Sequence, residues 1–126
     1  MKNGQVRLVG GRLPSEGRVE FALNGAWGGV CDNNWSMNDA DVVCRMLGYS
    51  RAIRASRGAS FGEGSGDTLL NNVACRGSEH SLSDCPHSVI RRADCGHGKD
   101  AGVVCWDDNF QGKAASFRYV IVDKIV

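Results

Sequence analysis

An α+β domain braced by disulfides is what this sequence predicts, and three observations predict it. The stretch 27–48 reads as strand, turn and helix, the residues before it form a β-meander, and six cysteines stand in a chain of 126 residues. Trp27-Gly28-Gly29-Val30-Cys31 is an aromatic and β-branched run, with glycines where backbones approach closely. Asp32-Asn33-Asn34 is turn chemistry, because Asx side chains bond nearby backbone and tolerate left-handed dihedrals. The period then changes. Ala40, Val43, Cys44 and Leu47 fall at i, i+3, i+4 and i+7, one face of an α-helix. Ser36 suits the N-cap with Asp39 three residues on, and Gly48 suits the left-handed residue that ends the helix. Cys44 therefore points inward with the apolar stripe.

The other elements follow in order. Residues 6–9 read as a short strand, and the glycines and Pro14 of 10–17 as the turn after it. Residues 18–23 alternate, Asn24-Gly25 is the strongest short hairpin signal, and 26–31 returns. After Gly48 the chain becomes loop-rich. Residues 58–66 hold four glycines around Phe61 and read as an irregular packed loop. A phosphate-binding loop would need a strand before, a helix after, and a lysine or acid downstream, and none is evident. Residues 68–73 form another strand. Residues 78–85 hold two helical turns at most, bracketed by Cys75 and Cys85, and 101–105 is a last β-like run. Beyond Trp106 the style shifts to linker and then to the β-prone run 116–126. The organisation is thus linker at 1–5, one domain at 6–106, and a tail at 107–126 that reads as an appendage or the start of a following domain.

The totals exclude several function classes. Fifteen Lys and Arg against fourteen Asp and Glu give a net charge of +1, so no global field draws the chain to nucleic acid. No apolar run is long enough to cross a bilayer, and no signal peptide is visible. Residues 1–3 read as the start of a piece cut from a longer protein. The cysteines, at 31, 44, 75, 85, 95 and 105, lack the close pairs of zinc ribbons and redox sites. They imply an oxidising compartment and structural disulfides, which fifteen pairings would satisfy. His80, His87 and His97 occur without a nucleophile elbow or a zinc-protease motif, so no enzymatic activity is expected. Residues 49–57 carry Arg51, Arg54 and Arg57 with no acid among them. With Arg91 and Arg92 they make a candidate patch for polyanions, since guanidinium offers phosphate, sulfate and carboxylate a rigid fork of donors. On a regular strand Arg51 and Arg57 share a face while Arg54 faces away; on a helix the three lie closer. The bland alternative is a solvated surface. Asn34-Trp35-Ser36 fits the glycosylation acceptor pattern, although the central Trp and the helix start disfavour its use.

Taken together, these residues resemble the scavenger receptor cysteine-rich (SRCR) family. The resemblance rests on Val6-Arg7-Leu8-Val9-Gly10-Gly11, Gly17-Arg18-Val19-Glu20 and Trp27-Gly28-Gly29-Val30-Cys31-Asp32. It continues through Asp41-Val42-Val43-Cys44-Arg45-Met46-Leu47-Gly48, the glycine loop, and Cys75-Arg76-Gly77-Ser78-Glu79 with Leu82 and Cys85. Cys95-Gly96-His97-Gly98-Lys99-Asp100-Ala101-Gly102-Val103-Val104-Cys105 closes it. The family implies a curved antiparallel sheet cradling one main helix, with bridges Cys31–Cys95, Cys44–Cys105 and Cys75–Cys85. Ser15 and Tyr49 stand where the eight-cysteine subgroup has a further pair, so the resemblance is to the six-cysteine group A.

The resemblance also implies function. It points to a non-catalytic extracellular module, secreted or in the ectodomain of a membrane protein. Relatives of this type bind modified lipoproteins and microbial polyanions, some through the strand before Trp27. The alternative it carries is a protein-docking module in a mosaic protease or a cell-surface protein. Several members hold Ca2+ on two successive acids after the first cysteine and a Glu before Asp-Ala-Gly. Here those positions are Asp32, Asn33 and Lys99, with Asp100 beside them. The expectation is that Lys99 sets its ammonium near Asp32, so that no cofactor is required and Ca2+ binds weakly or not at all. Asp39, Asp41 and Asp100 are left as ligands of another site, or as acids favoured at a helix N-terminus. His97, inside the closing motif, reads as a structural hydrogen-bonding residue.

Overall fold

The computed structural model describes residues 1–89 and 95–108. Its strands are β1 (Val6–Gly10), β2 (Glu16–Leu23), β3 (Ala26–Val30), β4 (Ala52–Ser56), β5 (Thr68–Asn71), β6 (Ser88–Val89) and β7 (Gly102–Cys105). The main helix, α1, is Met37–Met46, and short 3-10 turns lie at Leu82–Asp84 and His97–Lys99. The 78–85 stretch therefore holds one tight turn where two helical turns were the upper expectation. All described strands join one sheet, in the order β4-β7-β2-β3-β5-β6, with β1 on β2 as a branch.

Strand β2 is the trunk. Along one edge it pairs with β1, from Val6↔Phe21 to Gly10↔Gly17. Along the other edge it has two partners in succession: β7 at residues 16–18 and β3 at residues 20–23. Asn24 and Gly25 both take positive φ, 52° and 82°, as a tight two-residue hairpin requires. The sheet is mixed rather than antiparallel throughout, because β3 and β5 run parallel. The long excursion through α1, β4 and the glycine loop brings β5 back in the direction of β3, as parallel pairing requires of a connection.

Helix α1 covers one face of this sheet. Ala40, Val42, Val43 and Cys44 are buried there with Val19, Phe21, Val30, Leu70 and Val103. Trp35, just before the helix, is fully buried, and its indole N–H donates to the Gly102 carbonyl at 2.9 Å. Asp39 does more than complement the helix dipole. One carboxylate oxygen accepts from Ser36 N–H (2.7 Å) and hydroxyl (3.0 Å), the other from Cys75 N–H (2.8 Å). Burial pushes its carboxyl above the ordinary value of 3.8, against the pull of those hydrogen bonds. Disulfides join Cys31 to Cys95, Cys44 to Cys105 and Cys75 to Cys85, and no described cysteine is free. At the N-terminus, Gly4 N–H donates to Ala22 O, so residues 1–5 are not all detached from the domain.

The bridges differ in what they constrain. Cys44–Cys105 closes a separation of 61 residues and Cys75–Cys85 one of 10. Loop-closure entropy assigns them about 4 and about 3 kcal/mol, against a total of about 5–15 kcal/mol for a domain of this size. Urea unfolding should therefore show the Cys44→Ala/Cys105→Ala pair losing more stability than the Cys75→Ala/Cys85→Ala pair. Strong reductant should unfold or loosen the native domain, and a melting curve that reductant leaves unchanged would contradict this.

Candidate functional site: a polar seam and an arginine edge

The sheet has a seam where β2 passes from one partner to the next. Residues 99–101 first run against the end of β3: Asp32 N–H donates to Lys99 O, Cys31 bridges Asp100, and Ala101 N–H donates to Val30 O. The same segment then becomes β7 and pairs with β2 and β4. The seam thus sets Asp32 and Asp100 on paired neighbouring segments, both buried. Gly29 makes room for the second, since a Cβ there would lie 2.9 Å from Asp100 Oδ1.

Each seam acid has its own donors. Gly58 N–H donates to Asp32 Oδ2 at 2.7 Å. Gly64 N–H donates to Asp100 Oδ2 at 2.7 Å, and His97 Nδ1 lies 2.9 Å from the same oxygen. His97 Nε2 reaches the Gly66 carbonyl. Both ring nitrogens therefore face acceptors, which favours the doubly protonated imidazolium. Desolvation lowers the His97 pKa, but the bonds to Asp100 and Gly66 and the charges of Asp100 and Glu63 outweigh it, and the net shift is upward from 6.5. Through these contacts the glycine loop packs over the sheet face opposite α1, where Gly62 O also accepts from Arg18.

Lys99 departs from the expectation. Its ammonium donates to Asn33 Oδ1 at 2.6 Å, not to Asp32. Asn33 in turn donates to Asn71 Oδ1 at 3.2 Å, and Asn34 to Asn72 Oδ1 at 2.8 Å. This arrangement does not fit a calcium cradle, which needs six to eight oxygens, several of them charged. Asn33 offers a neutral oxygen already held by a cation, Asp32 is turned to the Gly58 N–H, and Asp100 to the Gly64 N–H and His97. Among the described residues, the metal-like grouping is Cys75, Glu79 and Cys85, and its two sulfurs form a disulfide. Asp41 is engaged elsewhere, accepting Ala52 N–H at 2.8 Å.

The arginines separate into different roles. β4 lies at the end of the sheet order and carries a bulge between Ala52 and Arg54. Ala52 pairs with Cys105 and Arg54 with Val104, so one extra residue intervenes and the alternation shifts. The regular-strand expectation is thereby overturned. Arg54 falls opposite Val104, two residues from Trp106, and the Arg51 guanidinium lies 4.7 Å from the Trp106 ring centroid. Arg51 and Arg54 share a face; Arg57 leaves it, donating to Trp35 O at 3.1 and 2.7 Å. Arg54 is exposed and makes no hydrogen bond or ion pair among the described residues. Arg91 and Arg92 lie outside the described residues, as does the 116–126 run.

A further cluster escaped the sequence reading. Glu20 accepts from Arg7 at 2.7–2.9 Å and from Arg18 at 3.3–3.4 Å, while Arg7 also lies 4.4 Å over the Trp27 ring. Alternation places Arg18 and Glu20 on one face, but Arg7 joins them only through the β1–β2 register. Asn34 is exposed, with positive φ.

A model of the scavenger receptor cysteine-rich domain matches residues 9–106. A scavenger receptor cysteine-rich domain superfamily protein of Patiria pectinifera is 52% identical over 103 residues, covering 82% of this chain and 9% of that protein. Galectin-3-binding protein of Rattus norvegicus is 51% identical over 108 residues, covering 86% and 19%. The chain therefore spans less than a fifth of either relative's length. Among solved structures, the third SRCR domain of murine neurotrypsin aligns with TM-score 0.73 at 48% identity, covering 79% of this chain and 94% of that one. The SRCR domain of mouse MARCO, in its dimeric form, gives 0.67 at 48% identity, covering 80% and 94%.

The His97 geometry sets a pH dependence. A histidine whose folded pKa is raised contributes stability that is fully present below its unfolded value. That contribution fades as pH rises from the ordinary 6.5 through the higher folded value. Wild-type denaturant stability should decline over that window, and His97→Gln should flatten the decline. Equal slopes in the two proteins would contradict the assignment.

Proposed function

The chain belongs to the scavenger receptor cysteine-rich family, and from that premise we propose that it is an extracellular, non-catalytic module of the six-cysteine group that captures polyanions through Arg51 and Arg54. The observation that carries this reading is the bulge in β4, which pairs exposed Arg54 with Val104 on the face where the Arg51 guanidinium lies against Trp106. Stacking on the ring holds the Arg51 fork in one orientation, which limits the entropy lost on binding. Among the described residues, Arg54 has no internal partner to give up. Arg57, committed to the Trp35 carbonyl, belongs to the scaffold rather than to the patch. Two exposed cations bind any single anion weakly. Repeated sulfates or phosphates along one ligand, met by several copies of the module, make up the affinity. Ser15 and Tyr49, in place of a fourth pair, support the group assignment.

A second reading is favoured by the name of one relative. Galectin-3-binding protein takes its name from a protein ligand. Ile53, 45% exposed next to Arg54, supplies the apolar element that a protein-docking face needs. Salt separates the two readings, because polyanion capture weakens steeply with ionic strength and a mostly apolar contact does not.

Retention on immobilised heparin should fall several-fold for Arg54→Ala and for Arg51→Ala. The slope of log affinity against log salt should drop by about one for each, as when a single cation–phosphate contact is lost. Arg57→Ala should lower the melting temperature with little effect on that slope. Unchanged retention in the Arg51→Ala/Arg54→Ala pair would end the proposal.

A further inference from the structure

The seam also explains how two neighbouring buried acids are accommodated. Asp32 and Asp100 lie on segments joined by the Cys31–Asp100 bridge and by the Asp32 N–H bond to Lys99 O. Buried carboxylates need hydrogen bonds or a nearby cation. Asp100 has both, from Gly64 and His97, whereas among the described residues the Asp32 carboxylate has one N–H bond, from Gly58. Lys99 brings positive charge to the turn that holds Asp32, its ammonium sitting on the adjacent side chain, Asn33. An amide suits that position and a carboxylate does not. Asn33 accepts from Lys99 with its oxygen and donates to Asn71 with its nitrogen, and an ionised carboxylate, which only accepts, cannot do both. Asn71 Oδ1 also accepts Asn72 N–H, and Asn72 receives Asn34. One cation and a run of amides thus tie together three segments: the 97–100 turn, the 31–34 turn and the end of β5.

We propose that Lys99 is a resident cation that does at this seam what a divalent metal would otherwise do, so that the domain folds and holds its turns independently of calcium. The corollary is a gain of function. Asn33→Asp with Lys99→Glu removes the internal cation and leaves Asp32, the two new acids and Asp100 grouped at one seam, which creates a calcium site.

Thermal melting and calorimetric titration with calcium chloride test this on the disulfide-bonded chain. The wild type should melt at the same temperature in calcium and in EDTA, with no heat of calcium binding at the seam. Lys99→Gln should melt a few degrees lower than wild type, equally in both buffers. The Asn33→Asp/Lys99→Glu pair should melt lower still in EDTA and regain the loss in calcium, with saturable binding. Calcium binding by the wild type that Asp32→Ala abolishes would overturn the proposal. So would an unchanged melting temperature in Lys99→Gln, or a folded double variant indifferent to calcium. If the double variant does not fold in EDTA, folding in calcium supports the proposal and failure in both buffers overturns it.

Discussion

The structure depends on one segment pairing with three partners in turn. Residues 99–105 run along the end of β3, then along the start of β2, while β4 pairs with their far edge. Among the described residues, Asp32, Asp100, Arg51 and Arg54 are positioned by that segment or by something bonded to it. Cys95 and Cys105 stand close to its two ends, and their bridges tie it to Cys31 at the seam and to Cys44 on α1. A chain of this length buries a modest core, so hydrophobic packing alone leaves such a segment free to slip in register. Covalent ties at both ends suppress that freedom. The Trp35 indole, bonded to Gly102 O, pins its middle.

Charge is sorted by the same frame. Most of the well-placed ions are consumed internally: Glu20 between Arg7 and Arg18, Asp39 between α1 and Cys75, Asp100 by His97, Arg57 by Trp35 O. Glu20, Asp39 and Asp100 are buried and Arg18 and His97 half-buried, where an unmatched charge is costly, so their partners are structural requirements. Under the proposed polyanion reading, the cations left for a ligand are those the frame does not use. The bulge turns Arg54 outward, and the Arg51 guanidinium lies against the Trp106 ring. A near-neutral module can thus present a locally positive face without carrying a large net charge.

Local chemistry was legible in the sequence. The 27–48 strand, turn and helix, the Asn24-Gly25 hairpin and the inward Cys44 each follow from period and turn residues within a short window. What was not legible is non-local. The parallel β3–β5 pairing depends on where a forty-residue excursion returns, which no window contains. The bulge in β4 has no proline or glycine to announce it, and it reverses which arginines share a face. Lys99 choosing Asn33 over Asp32, and Asp39 reaching Cys75, are contacts between segments distant in sequence. Residue identity narrows such choices without making them. The pairing of six cysteines is of the same kind: spacing left fifteen possibilities, and only the resemblance to a family singled one out.

We propose that ligand recognition belongs to the outer face of β4 while the seam serves the scaffold. Amide chemical-shift mapping with a short heparin oligosaccharide tests it most directly. The largest changes should fall on residues 51–56 and Val104 to Trp106, with the 31–34 and 97–100 turns unmoved. Changes centred on those turns, or on the Arg7–Trp27 face, would contradict it.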